Sequence, residues 1–441
     1  MTVRPRMHLA VRLPSTGDTA VWTPPRTGPR IAFPACERLA RTAERGRFDF
    51  LLLDEGLRLP EHRGRLHDLD PVGWAEPVAM LNALAGVTAR LGLAATVNTA
   101  FGEPYELARR LATLDQLSSG RAAWHAVTAT DARAGANFRA GAHFRDGGRT
   151  DPAEAVVARS GELLSVVREL WRSWTPDGEP RPFACRGRCF DIEGEFGLPR
   201  SPQGHPVIIQ SGESEEARES AAASADVHLV RHGSPETARV RYADVKRRLA
   251  AHGRAPRDLK VMPAVTVVLG DTAAEAQERA AGLRRQRVTP QYALYELERL
   301  WGVDLAGHDP DGPLPGIAPR FRDAETLARV GRWRALAEEK GLSSRETVIE
   351  ASGRQSFVGT PDSVAADLDA HVRQQAADGF LLAADGLEEF VDRVVPLLQE
   401  RGAFRAEYRG ATLRSHLELE HPAEEGRAQV KGRARMKGKS A

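Results

Sequence analysis

The chain is short of several things, and each shortage closes off a class of protein. It has 3 cysteines in 441 residues, Cys36, Cys185 and Cys189, too few for a disulfide framework. The spacing of Cys185 and Cys189 suits a metal site, but no second Cys or His pair sits near enough to complete four ligands. No metal site is expected. No run of about 18 apolar residues occurs, so nothing reads as a membrane span. The opening residues, MTVRPRMHLAVRL, lack the apolar stretch and small-residue cleavage site of a secretory signal. A reduced, cytoplasmic protein is the expectation. Excess charge is missing too: 62 Lys and Arg face 60 Asp and Glu, for a net charge of +2. That balance speaks against a nucleic-acid-binding body. The exception is GRAQVKGRARMKGKSA, from Gly426 to Ala441. It is basic and nearly free of large apolar side chains, so residues 420–441 read as a solvated, disordered tail.

Familiar motifs are absent as well. There is no GxGxxG after a strand, no GxxxxGK[ST], no HExxH and no GxSxG. The usual handles for Rossmann cofactors, P-loop nucleotides, zinc proteolysis and α/β-hydrolase chemistry therefore fall away.

What is present is alternation. Strand-like runs are predicted at His8–Leu13, Asp49–Asp54, Leu91–Val97, Ala122–Thr128, Val207–Gln210, Val227–Val230, Val261–Val268 and Gly379–Ala383. Helical patterns lie between them, among them Ala35–Arg45, Glu76–Ala89, Ala153–Trp174, Glu215–Ser224, Pro235–Ala251, Thr272–Arg287 and Pro361–Gln375, with Gly386–Gln399 after the last strand. Eight strands in such a series predict an α/β fold, a (β/α)8 TIM barrel occupying residues 1–419. Two stretches interrupt it, about 131–151 after the fourth strand and 289–356 before the eighth. Loops of that length inside a compact domain are lids, binding loops or disordered segments.

The clearest unit is LGLAATVNTAFGEPYELARRLATLDQLSSGRAAW, from Leu91 to Trp124. Pro104 suits the first turn of its helix, and Gly120 suits the left-handed turn that closes it. In a TIM barrel the active site forms where the strands end, which singles out the polar residues there. Glu55 ends the second strand and can accept a hydrogen bond from a ligand or cap a turn. Thr96 and Asn98 lie two apart and so share a strand face. His125 follows Trp124 on the next strand, as a buried core histidine or as a catalytic group. Ser214 is a good N-cap, and the helix start behind it is a ready anion site.

Taken together, FDFLLLDEGLRL, LGLAATVNTAFGEPYELARRLATLDQLSSGRAAWHAVTA, VIIQSGESEEARESAA, GTPDSVAADLDAHVRQQAADGF and FRAEYRGATLRSHLEL resemble the bacterial-luciferase-like superfamily. More narrowly, they look like the nitrilotriacetate monooxygenase component A group. The resemblance implies a dimeric or tetrameric TIM barrel that takes reduced FMN from a separate NAD(P)H:FMN reductase and uses O2 to oxygenate a small organic substrate. It implies that Glu55, Thr96, Asn98 and Ser214 belong to the flavin site, Ser214 at the phosphate. Two places depart from the group's pattern. His125 stands where relatives commonly have asparagine. A loop that reads H-x-x-R-Y in relatives corresponds here to Asp146-Gly147-Gly148-Arg149-Thr150. Arg149 is kept, Thr150 retains a hydroxyl, and Asp146 brings a negative charge that would oppose an anionic reduced flavin. A protonated His125 would offset it, giving His125 a catalytic role. Two other readings share the fold: an oxidoreductase using the deazaflavin F420, and a non-catalytic barrel acting as a subunit.

Overall fold

A computed structural model describes residues 6–13, 33–57, 61–62, 65–66, 75–128, 152–175, 178–320, 324–351 and 355–422. Eight parallel strands close into a barrel: β1 His8–Arg12, β2 Phe50–Leu53, β3 Gly92–Asn98, β4 Ala122–Val127, β5 Val207–Ser211, β6 Val227–Arg231, β7 Lys260–Val265 and β8 Gly379–Ala383. Neighbours in the barrel are neighbours in sequence, and β8 pairs with β1 from His8↔Gly379 to Arg12↔Ala383. All eight predicted strands are found, with ends shifted by at most three residues.

Alternation along each strand sorts side chains to two faces. Ala10, Phe50, Leu52, Ala94, Ala123, Ile209, Leu229, Met262 and Leu381 point inward and form one core. Leu9, Leu51, Leu93, Ala95, Trp124 and Phe380 point outward against the helices in a second core. Both faces are apolar, which is why the strands read as unbroken apolar runs. Trp124 holds its place twice over: its indole N–H donates to the Val97 carbonyl at 3.1 Å, and its ring meets Trp171 edge-on.

The C-terminal segment closes the amino-terminal end of the barrel. Leu413 and Leu417 join the inner core from below. Gly92 has to be glycine beneath them, because a Cβ there would lie 2.6 Å from Leu413 Cδ1 and 2.7 Å from the Asp49 carbonyl oxygen. Arg414 forks onto both oxygens of Asp226, at 3.0 Å each. Arg405 pairs with Asp49, which also accepts the Leu9 N–H at 2.8 Å and faces His8 Nδ1 at 3.2 Å.

Two predicted elements are divided. The run Val261–Val268 ends as a barrel strand at Val265; Val267–Leu269 then leaves the barrel to pair with Phe357–Gly359. The pattern Gly386–Gln399 becomes Leu387–Arg393 and Val395–Glu400, with Pro396 in the first turn of the second helix, where its missing N–H does no harm. The stretch before β8 holds helices Pro290–Trp301, Ala324–Lys340 and Ser344–Ala351, packed on their own core of Leu297, Trp301, Val330, Trp333 and Val348. Residues 131–151 lie outside the described residues. Among the described residues, no helix is long and apolar enough to cross a membrane.

Candidate active site

Above the inward apolar layer, the carboxyl ends of five consecutive strands carry polar side chains. Arg12, Asp54, Thr96, His125 and Ser211 occupy the next inward position after Ala10, Leu52, Ala94, Ala123 and Ile209, respectively. They form one chain across the barrel mouth. The Arg12 guanidinium donates to Asp54. Thr96 Oγ1 lies 3.0 Å from Asp54 Oδ1 and 3.0 Å from His125 Nδ1. His125 Nε2 lies 3.1 Å from Ser211 Oγ. Thr96 and His125 are 5% and 6% exposed, so leaving either unpaired would cost about 1–3 kcal/mol.

Burial lowers the His125 imidazole to about 4, with the Asp54 carboxylate opposing that shift and Arg12 adding to it. The ring is therefore neutral at physiological pH. A cation at this depth faces desolvation that outweighs the attraction of the Asp54 carboxylate.

The other sequence candidates take different places. Glu55 sits beside the mouth, its Oε2 accepting the Asn98 backbone N–H at 2.8 Å. Burial pushes its carboxyl up to about 7, against that hydrogen bond and the charge of Arg110. The Asn98 side-chain oxygen is used locally, accepting the Ala100 N–H at 2.8 Å. Thr96 and Asn98 do share the inward side, yet only Thr96 joins the chain to His125. Ser214 caps the helix Glu215–Ser224, its Oγ accepting the Ala217 N–H at 3.1 Å. Gly212, between Ser211 and that cap, has φ +135°, a conformation open to glycine, and a Cβ there would meet Ala217 Cβ at 2.7 Å. Asp146, Arg149 and Thr150 lie outside the described residues.

Arg12, Asp54 and Ser211 were not singled out from the sequence. Their signal was parity: each lies two residues beyond an inward apolar residue, at a strand's carboxyl end. Two adjacent acids, Asp54 and Glu55, end the second strand, and only the register tells which one faces inward.

The comparisons with known proteins agree with this geometry. The family described as Luciferase-like monooxygenase matches residues 7–379. The chain is 35% identical over 408 residues to N-acetyl-S-(2-succino)cysteine monooxygenase of Bacillus subtilis, covering 88% of this chain and 90% of that one. It is 35% identical over 415 residues to nitrilotriacetate monooxygenase component A of Aminobacter aminovorans, covering 87% and 89%. Among solved structures, the EDTA monooxygenase of Chelativorans sp. BNC1 superimposes with a TM-score of 0.72 at 29% identity, over 94% of this chain and 99% of that chain. With matches of this extent on a barrel whose mouth carries a buried polar chain, the protein belongs to the luciferase-like monooxygenase family and is a flavin-dependent monooxygenase.

Proposed function

We propose that the protein binds reduced FMN delivered by a separate NAD(P)H:FMN reductase and, as a homodimer or homotetramer, uses O2 to oxygenate a small organic substrate. The observation that carries this is the pairing of two binding features at one end of the barrel. One is the polar layer Thr96–His125–Ser211 over the small side chains Ala94 and Ala123. The other is the exposed start of the helix Glu215–Ser224, reached from Ser211 through the Gly212 turn.

These residues fit a planar, phosphorylated ligand. Ser211, exposed at the end of its strand, can hydrogen-bond the edge of such a ring, with Thr96 and His125 behind it holding its hydroxyl. The helix start offers the positive end of a dipole to a phosphate, in competition with the Glu216 carboxylate, which already takes the Glu216 N–H and the Ser214 hydroxyl. Glu215 is partly neutralised there by Arg248 at 3.3 Å. Bound reduced flavin supplies the electrons that activate O2. The chain's own tasks are to hold the ring at Ser211, backed by Thr96 and His125, to anchor the phosphate at Ser214, and to keep water from the mouth. Asp146, Arg149, Thr150 and Glu55 are assigned to the same site on the resemblance described above.

Anaerobic titration with reduced FMN and, separately, with reduced F420 tests this reading. Saturable binding of reduced FMN, with oxygen consumption and substrate-dependent turnover on adding a flavin reductase, is expected. Binding of F420 without binding of FMN would replace oxygenation by hydride transfer, and binding of neither would leave a non-catalytic barrel.

A further inference from the structure

The hydrogen bonds around His125 have a direction that follows from counting protons. Asp54, as a carboxylate paired with Arg12, only accepts. Thr96 owns one hydroxyl proton and gives it to Asp54 Oδ1 at 3.0 Å. Toward His125 Nδ1, also 3.0 Å away, Thr96 can then only accept. The imidazole proton therefore sits on Nδ1, and in a neutral ring Nε2 carries a lone pair. Ser211 Oγ, 3.1 Å from Nε2, must donate to it. What Ser211 keeps for a ligand is lone pairs alone, at an exposed position on the inward side of the end of β5. A protonated imidazole would reverse this, since Nε2 would donate and free the serine proton for the ligand.

We propose that Ser211 is a specificity-determining residue that favours reduced over oxidised flavin, because the Arg12–Asp54–Thr96–His125 chain holds its hydroxyl as an obligate hydrogen-bond acceptor. The inference rests on the flavin reading above. Oxidised isoalloxazine carries bare, accepting nitrogens at N1 and N5. Two-electron reduction places a proton on N5 and, in the neutral form, on N1 as well. An obligate acceptor pairs with such an N–H and is set against a bare nitrogen lone pair. A serine free to rotate would serve both forms, donating to one and accepting from the other. Discrimination therefore comes from the chain behind the hydroxyl, with Thr96 and Asp54 as positioning residues. An enzyme supplied with reduced flavin by another protein gains from it, because spent, oxidised flavin is released for the next round.

Two measurements test the proposal. Nitrogen-15 NMR of the ligand-free protein reads the His125 tautomer: a protonated Nδ1 and a bare Nε2 are expected. Thr96→Val should erase that preference, and Thr96→Ser should restore it. A protonated Nε2 in the wild type overturns the proposal without any flavin present. In the second, oxidised and anaerobically reduced FMN are titrated into wild type, Ser211→Ala, Thr96→Val and Thr96→Ser. The ratio of oxidised to reduced dissociation constants should fall about ten-fold, the scale of one hydrogen bond, in Ser211→Ala and Thr96→Val. Thr96→Ser should keep the ratio. The midpoint potential of the bound flavin should become more negative in the first two variants only. An unchanged ratio in Ser211→Ala overturns the proposal while leaving the flavin reading intact. If wild type binds neither form of FMN, both fall, and the tautomer measurement still decides the direction of the chain.

Discussion

The two ends of the barrel both bury polar side chains, and they do so in opposite ways. At the floor, Asp226 is forked by Arg414 and Asp49 is paired with Arg405. Burial alone would raise both carboxyls, but the guanidinium charges and local hydrogen bonds outweigh it and hold each at about 2. At the mouth, beside the Arg12–Asp54 pair, burial wins for the groups that lack such a partner: Glu55 is raised to about 7 and His125 lowered to about 4. Compensated buried charges are costly to unpair, whereas groups pushed toward neutrality are what a binding site offers to a ligand. The position of the two sets agrees with the general division of TIM barrels into a stability face and an active face.

The sharpest way to break this comparison is to remove a floor charge. Arg414→Met leaves Asp226 buried without its cation and should cost about 3–5 kcal/mol of stability in denaturant unfolding. Adding Asp226→Asn should recover much of that loss. Reduced-FMN affinity of the folded fraction should stay at the wild-type value. A loss under about 1 kcal/mol would show the floor pair to be dispensable, and the contrast with the mouth would lose its basis.

Mouth substitutions should behave in the reverse sense. Thr96→Val strips Asp54 and His125 of a shared partner and should cost about 1–3 kcal/mol, less than the floor variant. His125→Asn should weaken reduced-FMN binding because the shorter side chain loses its hold on Ser211. Unchanged binding and turnover in His125→Asn would count against any part for the imidazole in the site.

The pH dependence sharpens the rule, because Asp115 crosses the boundary. It belongs to the floor, yet its hydrogen-bond donors are the neutral Ser201, Gln203 and the Ala122 N–H. Burial pushes it up to about 6 despite them. What matters is thus the presence of a cation rather than the end of the barrel. A carboxyl raised on folding binds its proton more tightly in the native state, so stability falls as pH rises through the shift. For Glu55 and Asp115 that window runs from about 4 to about 7. Asp49 and Asp226 have the opposite sign: their contribution is full above about 4 and is lost as pH falls toward about 2. Glu55→Gln and Asp115→Asn should each flatten the higher window and leave the acid limb in place. A stability profile from pH-dependent urea unfolding that keeps its slope in both variants would refute the assignment.

The architecture was legible because both strand faces are apolar and turn signals separate the elements. The eight strands emerge from runs such as Phe50–Leu53 and Val207–Ile209 without any structural knowledge. Thr96, His125 and Ser214 were legible as polar residues at strand or helix ends, but their partners were not. Whether Asp54 or Glu55 turns inward depends on register, and register is fixed by pairing such as Leu52↔Ala94 and Leu53↔Ala95, not by local sequence. The neutral state of His125 was equally hidden. It results from the depth of the ring, which outweighs the attraction of Asp54, a residue brought to it by the barrel.

The smallest effect concerns Ser214, and it separates a cap from a ligand site. As an N-cap, its Oγ satisfies the Ala217 N–H, and Ser214→Ala should cost about 1 kcal/mol, with Ser214→Gly costing only a few tenths. That ordering follows from helix capping alone and says nothing of function. A phosphate at the same helix start adds a second dependence. Both variants should weaken binding of reduced FMN while leaving reduced riboflavin, which lacks the phosphate, unaffected. Alanine and glycine should weaken it alike, because the hydroxyl is lost in both even though the helix feels them differently. If affinity for FMN instead tracks the stability ordering, or riboflavin weakens in parallel, Ser214 is a cap and nothing more. The flavin would then be held from the polar layer around His125, with the phosphate anchored elsewhere.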